Sequence, residues 1–389
     1  MKSFEVLPQG TILVSTLVRE IENVIKNNCD TIKIWNLSIG CERIGKCISF
    51  FGKFIDQLQY IYDVLFIIAA GNYGDNKLIM PADSLAAIAV GTAYKDTNNK
   101  IKTWSKSGTG KVFGTYEKPD CYEIGNAIGA SDWNQDPQIT LSGPSQPKVE
   151  NGTSFSAPLV ARKDAYLLGK YNLNVQSTRA LIKHLSSLNP NKICDLGILD
   201  DFKNDWLILI EGSTEKGLLK EVRVKLPVDF FSKTEFVVAY SLSYNVPVLN
   251  DIGDEYTPFD LFFKLAKVNG DNKRPNIIKS NNNKNDGVDA SESTLRKHFG
   301  KFNPNIVLIN NSFCNKTPIK ISATDNEFGF VIKRTDLVGF ETESIGYGLI
   351  VHLREVVENS LSSFIDLNAE NIIEIIDLEQ TIDDLEIKQ

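Results

Sequence analysis

The residues best suited to chemistry lie in Gly152-Thr153-Ser154-Phe155-Ser156-Ala157-Pro158, ahead of a helically patterned run from Leu159 to Tyr171. A serine at the start of a helix sits beside unpaired backbone N–H groups and the positive end of the helix dipole. Both favour negative charge on an oxygen forming next to its hydroxyl, which makes Ser154 a candidate nucleophile. The same residues also suit a plain helix cap. A second segment bears on that choice. Phe66-Ile67-Ile68-Ala69-Ala70-Gly71-Asn72 reads as a buried strand ending in small residues and an asparagine. Ligands of open α/β sheets bind at the carboxyl ends of strands, and an asparagine amide there is a good donor to an oxyanion. Alone, Asn72 reads as a turn asparagine.

Together these residues resemble the subtilisin-like (S8) serine protease family, and the likeness runs on in the family's order over residues 30–190. Asn36-Leu37-Ser38-Ile39-Gly40 is similar to the family's substrate-binding strand, and Ala69-Ala70-Gly71-Asn72 to its oxyanion-hole segment. Met80-Pro81-Ala82 followed by Ile88-Ala89-Val90-Gly91-Thr92 looks like its proline turn and next core strand. Trp104-Ser105-Lys106-Ser107-Gly108 and Lys118-Pro119-Asp120 match two further landmarks, although Glu123-Ile124-Gly125 stands where the family has A-P-G. The resemblance implies a serine endopeptidase acting by acyl transfer on a polypeptide substrate. Ser154 would be the nucleophile, with the Asn72 side chain and the Ser154 N–H as oxyanion donors. Ser38, Ile39, Gly40, Ala70 and Gly71 would line the bound peptide. No cofactor and no metal are implied.

Subtilisins order their catalytic triad Asp, His, Ser along the chain. Here the 35 residues before Asn36 hold no histidine, and His184, His298 and His352 all follow Ser154. His184 falls in Ala180-Leu181-Ile182-Lys183-His184-Leu185, a helix that in the family covers the sheet far from the nucleophile. His298 and His352 fall in the second half. All three read as surface or structural residues, because a base must lie within hydrogen-bond reach of the serine. A serine hydroxyl without a base is a weak nucleophile, so the chain alone is expected to be close to inactive. Three explanations stand open. The Asp and His are on another polypeptide, or were lost through a start-site or reading-frame error; the chain is a pseudoprotease; or it binds an extended peptide without cutting it. The first is favoured, because Ser154 and Asn72 serve only catalysis.

The elements that must position these residues follow from periodicity. Ile12 to Lys26 places Leu13, Leu17, Ile21 and Val24 or Ile25 at helical spacing. Thr31–Leu37, Val64–Ala70 and Ala87–Val90 are short apolar runs without alternation, as in strands buried on both faces of a parallel sheet. A helical stretch from Ile48 to Tyr62 lies between the first two, which is β-α-β logic and hence α/β. The absent Asp and His strands would leave an apolar edge at Ile32, Ile34 and Leu37.

The pattern changes near residues 197–205. Val222, Val224 and Leu226 alternate with Arg223 and Lys225, and strand-like runs follow at 236–242, 259–268, 319–321 and 349–353. Strands without intervening helices predict a β-sandwich. The expected domains are a partial catalytic domain at 1–200, a β-rich domain at 205–355 and an acidic tail at 356–389, with Glu370–Gln389 read as helical. Asn269–Ser293 is a polar insertion read as a mobile loop.

Composition bounds the rest. The 389 residues are 42% hydrophobic and 23% charged, ordinary for a globular protein. A net charge of -7 argues against nucleic acid or an anionic membrane as partner. No apolar run approaches a bilayer span, and the N-terminus shows no signal peptide. Six dispersed cysteines without C-x-x-C spacing read as free thiols, and so as a reducing, cytoplasmic setting.

Overall fold

The computed structural model describes residues 2–4, 13–45, 47–96, 98, 100–125, 139–141, 147–149, 151–196, 205–215, 219–225, 236–248, 256–267, 276–281, 306–310, 313, 320–321, 327–336, 344–355, 364–366 and 373–378. The chain divides into two compact units, Met1–Leu196 and Gly197–Gln389.

The first unit runs α1 (Val14–Lys26), β1 (Ile34–Leu37), β2 (Cys41–Glu42), α2 (Phe50–Tyr62), β3 (Leu65–Ala69), β4 (Ile79–Met80), β5 (Ile88–Lys95), β6 (Ile101–Thr103), β7 (Gly110–Val112), β8 (Tyr116–Lys118), β9 (Cys121–Ile124), β10 (Ile139–Leu141), β11 (Pro147–Val149), α3 (Thr153–Tyr171) and α4 (Val175–Ser187). Strands β1, β3, β5 and β9 are parallel, and β6 pairs antiparallel with β5. All five residues of β3 are buried, as the uninterrupted apolar run Leu65–Ala69 requires of a strand covered on both faces. Helix α3 lies across β1, β3, β5 and β9, while α2 packs on β3 and α1 on α2. Ser49 caps α2 by accepting the Gly52 N–H at 2.9 Å, and Phe51, Ile55 and Leu58 form its buried stripe. Each such side chain contributes about 1.5–3 kcal/mol on burial.

Among the described strands β1 is an edge. The apolar exposure expected there is smaller than the sequence suggests. Trp35 and Leu37 are buried, and Ile32 and Ile34 are half-buried. Helix α3 covers β1 on one face, and the Phe4 ring lies 5.5 Å from that of Trp35.

The second unit comprises β12 (Asp205–Thr214), β13 (Leu219–Lys225), β14 (Phe236–Tyr244), β15 (Phe259–Lys267), β16 (Asn276–Asn281), β17 (Val307–Asn310), β18 (Lys320–Ile321), β19 (Glu327–Asp336), β20 (Ile345–Glu355), β21 (Phe364–Asp366) and β22 (Ile373–Leu378). One sheet is ordered β17-β14-β20-β12-β21 with β18 beside β14, and the other β16-β15-β19-β13-β22. Tyr240 of β14 reaches across to Phe263 and Phe330, with ring centroids 5.1 and 5.4 Å away, so the two sheets form a sandwich. Two expectations need correcting. Ile373–Leu378 is a strand antiparallel to β13 rather than a helix, because sheet pairing overrides a pattern that fits both periods. Within the polar insertion Asn276–Asn281 is strand β16, paired with β15; the rest of the insertion lies outside the described residues.

Candidate active site

The carboxyl ends of β1 and β3 converge on the amino end of α3. Thr153, the first residue of α3, donates its backbone N–H to Asn72 Oδ1 at 2.9 Å and its hydroxyl to the same oxygen at 3.1 Å. The Thr153 hydroxyl in turn accepts the Gly71 N–H at 3.1 Å. Because backbone N–H can only donate, the Asn72 carbonyl end must face Thr153, and its NH₂ end is the one Thr153 does not engage. Gly152 has φ +139°, and a Cβ there would stand 2.9 Å from Asn72 Nδ2. Only glycine lets the backbone pass so close to the amide.

Ser154 follows, exposed, with its backbone N–H in the first turn of α3. Pro158 lies inside this helix and has no N–H, so the Ser154 carbonyl lacks its usual donor four residues on. Ser38 Oγ donates to that carbonyl at 3.4 Å and itself accepts from Asn36 Nδ2 at 3.1 Å. This ties Ser38-Ile39-Gly40 to Ser154. Beyond Gly40, β2 pairs with β4. Arg43 then bonds the carbonyls of Cys47 (3.0 Å) and Lys111 (3.0 Å) and lies 3.4 Å from the buried Asp83 carboxylate. Burial, then the neighbouring Asp56, raises the Asp83 carboxyl, against the Ser49 hydrogen bonds and Arg43, which lower it. On the other side, Ala70 accepts the Ile79 N–H at 3.2 Å and Gly71 accepts the Gly108 N–H at 2.7 Å. Ser38, Ile39, Gly40, Ala70, Gly71, Asn72 and Ser154 are thus gathered at one end of the sheet.

Sequence reasoning overlooked several residues that hold this arrangement. Ser156, the other serine of the motif, is fully buried, with its hydroxyl 2.9 Å from that of Thr92 and donating to the Glu123 carbonyl at 3.0 Å. Lys163 of α3 pairs with the Glu123 carboxylate and also donates to the Cys194 carbonyl. Burial lowers the Lys163 ammonium, but Cys194 and Glu123 outweigh it and raise it overall. The departure at Glu123-Ile124-Gly125 was the available signal: an acidic residue on a core strand calls for a cation.

At the opposite end of the sheet, Asp120 precedes β9 and pairs with Lys118 (2.6 Å) and Lys183 (2.8 Å). Burial alone would raise the Asp120 carboxyl, yet the two lysines hold it at about 2; burial lowers Lys183 to about 8. His184 adjoins Lys183 and is fully buried. Asp120 contacts Ala89 and Ser156 contacts Thr92, three residues further along β5. At about 3.3 Å per residue the two ends lie roughly 10 Å apart before side chains are counted. His352 belongs to the second unit, where it is buried against Phe313. His298 lies outside the described residues. Among the described residues no cluster of His, Cys, Asp and Glu is placed to hold a metal ion, and no helix is long and apolar enough to cross a membrane.

The model of the subtilase family matches residues 8–200. The first unit is a subtilase-family domain. Subtilase-like proteases also recur among similar solved structures. The prenylagaramide maturation protease PagA is 24% identical, over 47% of this chain and 60% of its own, with a TM-score of 0.35. The self-cleaved protease domain of PatA is 23% identical over 43% and 57% (TM-score 0.33), and sphericase 18% over 46% and 57% (TM-score 0.35). The chain therefore spans less than two thirds of these subtilases. No curated protein matches it.

Proposed function

We propose that Ser154 is the nucleophile of a subtilisin-type serine endopeptidase, cleaving polypeptides by acyl transfer. The observation that supports this reading is the double donation from Thr153 to Asn72 Oδ1, which engages the oxygen end of the amide and leaves its NH₂ end as the donor for an oxyanion beside the exposed Ser154. An oxyanion there would take the Asn72 Nδ2 and Ser154 backbone N–H groups as donors. Extended substrate would lie along Ser38-Ile39-Gly40, opposite Ala70 and Gly71. The proton acceptor and its aspartate would be supplied by an Asp- and His-bearing segment on the same or a second polypeptide; His184, beside the Lys183 that pairs with Asp120, lies toward the other end of the sheet. Free thiols at all five described cysteines fit a reducing, cytoplasmic setting. The test is peptide hydrolysis by this chain supplied with an Asp- and His-bearing segment, against the same preparation carrying Ser154→Ala.

The position of His184 also favours a second reading, a protein that binds extended peptide at the same rim without cutting it. Tight peptide binding with no hydrolysis under those conditions would select it.

A further inference from the structure

Ile79 lies close to both backbone segments beside Ser154. Strand β4 brings Ile79 beneath both backbone segments that flank the site, through the β2–β4 pairing (Glu42 opposite Ile79, Cys41 opposite Met80) and the Ile79 N–H bond to Ala70. Gly40 and Gly71 face it from the two sides. A Cβ on Gly40 would stand 2.6 Å from Ile79 Cδ1 and 2.5 Å from the Met80 carbonyl oxygen; one on Gly71 would stand 2.6 Å from Ile79 Cγ2. The two branches of one buried isoleucine therefore fill the gap between the two glycines.

We infer that Ile79 is a specificity-determining residue: it limits the substrate residue on the acyl side of the scissile bond to glycine or alanine. This rests on the proposed protease reading. A peptide extended along Ser38-Ile39-Gly40, with its carbonyl at Asn72 and Ser154, directs that residue's side chain between Gly40 and Gly71. Two side chains cannot share close-packed space, and forcing in more than one extra carbon displaces backbone on either side. A leucine or phenylalanine side chain would have to occupy the volume that Ile79 already holds.

Cleavage products test this without requiring catalysis, because their carboxylate presents an oxygen to the same donors. N-acetyl tetrapeptide acids, identical except for a final Gly, Ala, Leu or Phe, are titrated calorimetrically into the full chain and its Ile79→Gly and Ile79→Val forms. The native chain should bind the Ala peptide about tenfold or more tighter than the Phe peptide. Ile79→Gly should tighten the Phe peptide about tenfold or more relative to the Ala peptide, and a thermal melt on the same sample shows that the variant is folded despite the lost side chain. Ile79→Val should fall between. Equal binding of Phe and Ala peptides by the native chain, or an unchanged ranking in both variants, overturns the role of Ile79 and leaves the protease reading standing. Binding of no peptide by any form overturns both.

Discussion

Thr153 donates twice to Asn72 Oδ1, at 2.9 Å from its backbone N–H and 3.1 Å from its hydroxyl. That pair of bonds fixes which end of the Asn72 amide faces Thr153. It also separates two roles of one side chain, accepting from Thr153 and donating to an oxyanion. Asn72→Asp keeps the acceptor and removes the donor. In the preparation supplied with an Asp- and His-bearing segment, kcat should fall by about 10²–10³, the loss known for the oxyanion asparagine of subtilisin. The melting temperature should hardly change. Steady-state kinetics and a thermal melt on the same sample check both halves.

The two serines of the motif should behave oppositely. Ser156→Ala strands the Thr92 hydroxyl and the Glu123 carbonyl in the core and should lower stability by about 1–3 kcal/mol, with hydrolysis retained. Ser154→Ala removes an exposed hydroxyl and should abolish hydrolysis with stability unchanged. Urea melts of both variants, run beside the activity assay, decide the assignment.

Much of this site was legible in the sequence because each piece has a local signature. Gly152 to Pro158 marks a tight turn into a helix, and Phe66 to Asn72 a buried strand with small residues at its end. The devices between these pieces have no such signature. Ile79 is one apolar residue among many, and its reach to both Gly40 and Gly71 exists only once β2 pairs with β4. Thr153 stood inside the motif, but its bond to a residue 81 positions away is tertiary. In the second unit Val222 and Val224 alternate as a strand must, and both are buried. The isoleucines from Ile372 to Ile376, spaced three and four apart as well as alternately, fit either period, and only pairing with β13 decides for the strand.

Acid should destabilise the first unit through Asp120. Its folded value, about 2, lies below the ordinary 3.8. The stability it contributes is therefore present above pH 4 and is lost as pH falls from there through about 2. The difference amounts to about 2 kcal/mol. Asp120→Asn should flatten this limb in stability measured against pH. It should also cost about 3–5 kcal/mol at neutral pH, because Lys118 and Lys183 would keep buried charge without a partner.

The side of β1 that no described strand pairs with should take up added chain. An Asp- and His-bearing segment that completes the site by extending this sheet should slow amide exchange in Ile34–Leu37 and raise the melting temperature, since each new backbone hydrogen bond adds about 0.5–1.5 kcal/mol. Hydrogen exchange read by mass spectrometry locates the protection. Protection confined to the second unit would mean the segment docks elsewhere.

Hydrolysis of a tetrapeptide with alanine at the acyl side tests the central claim most directly, measured on the 389-residue chain with and without the Asp- and His-bearing segment, in native and Ser154→Ala forms. Turnover should appear only in the native form supplied with the segment. Turnover that persists in Ser154→Ala, or its absence from a native complex shown to be folded and to bind the peptide, would contradict the account.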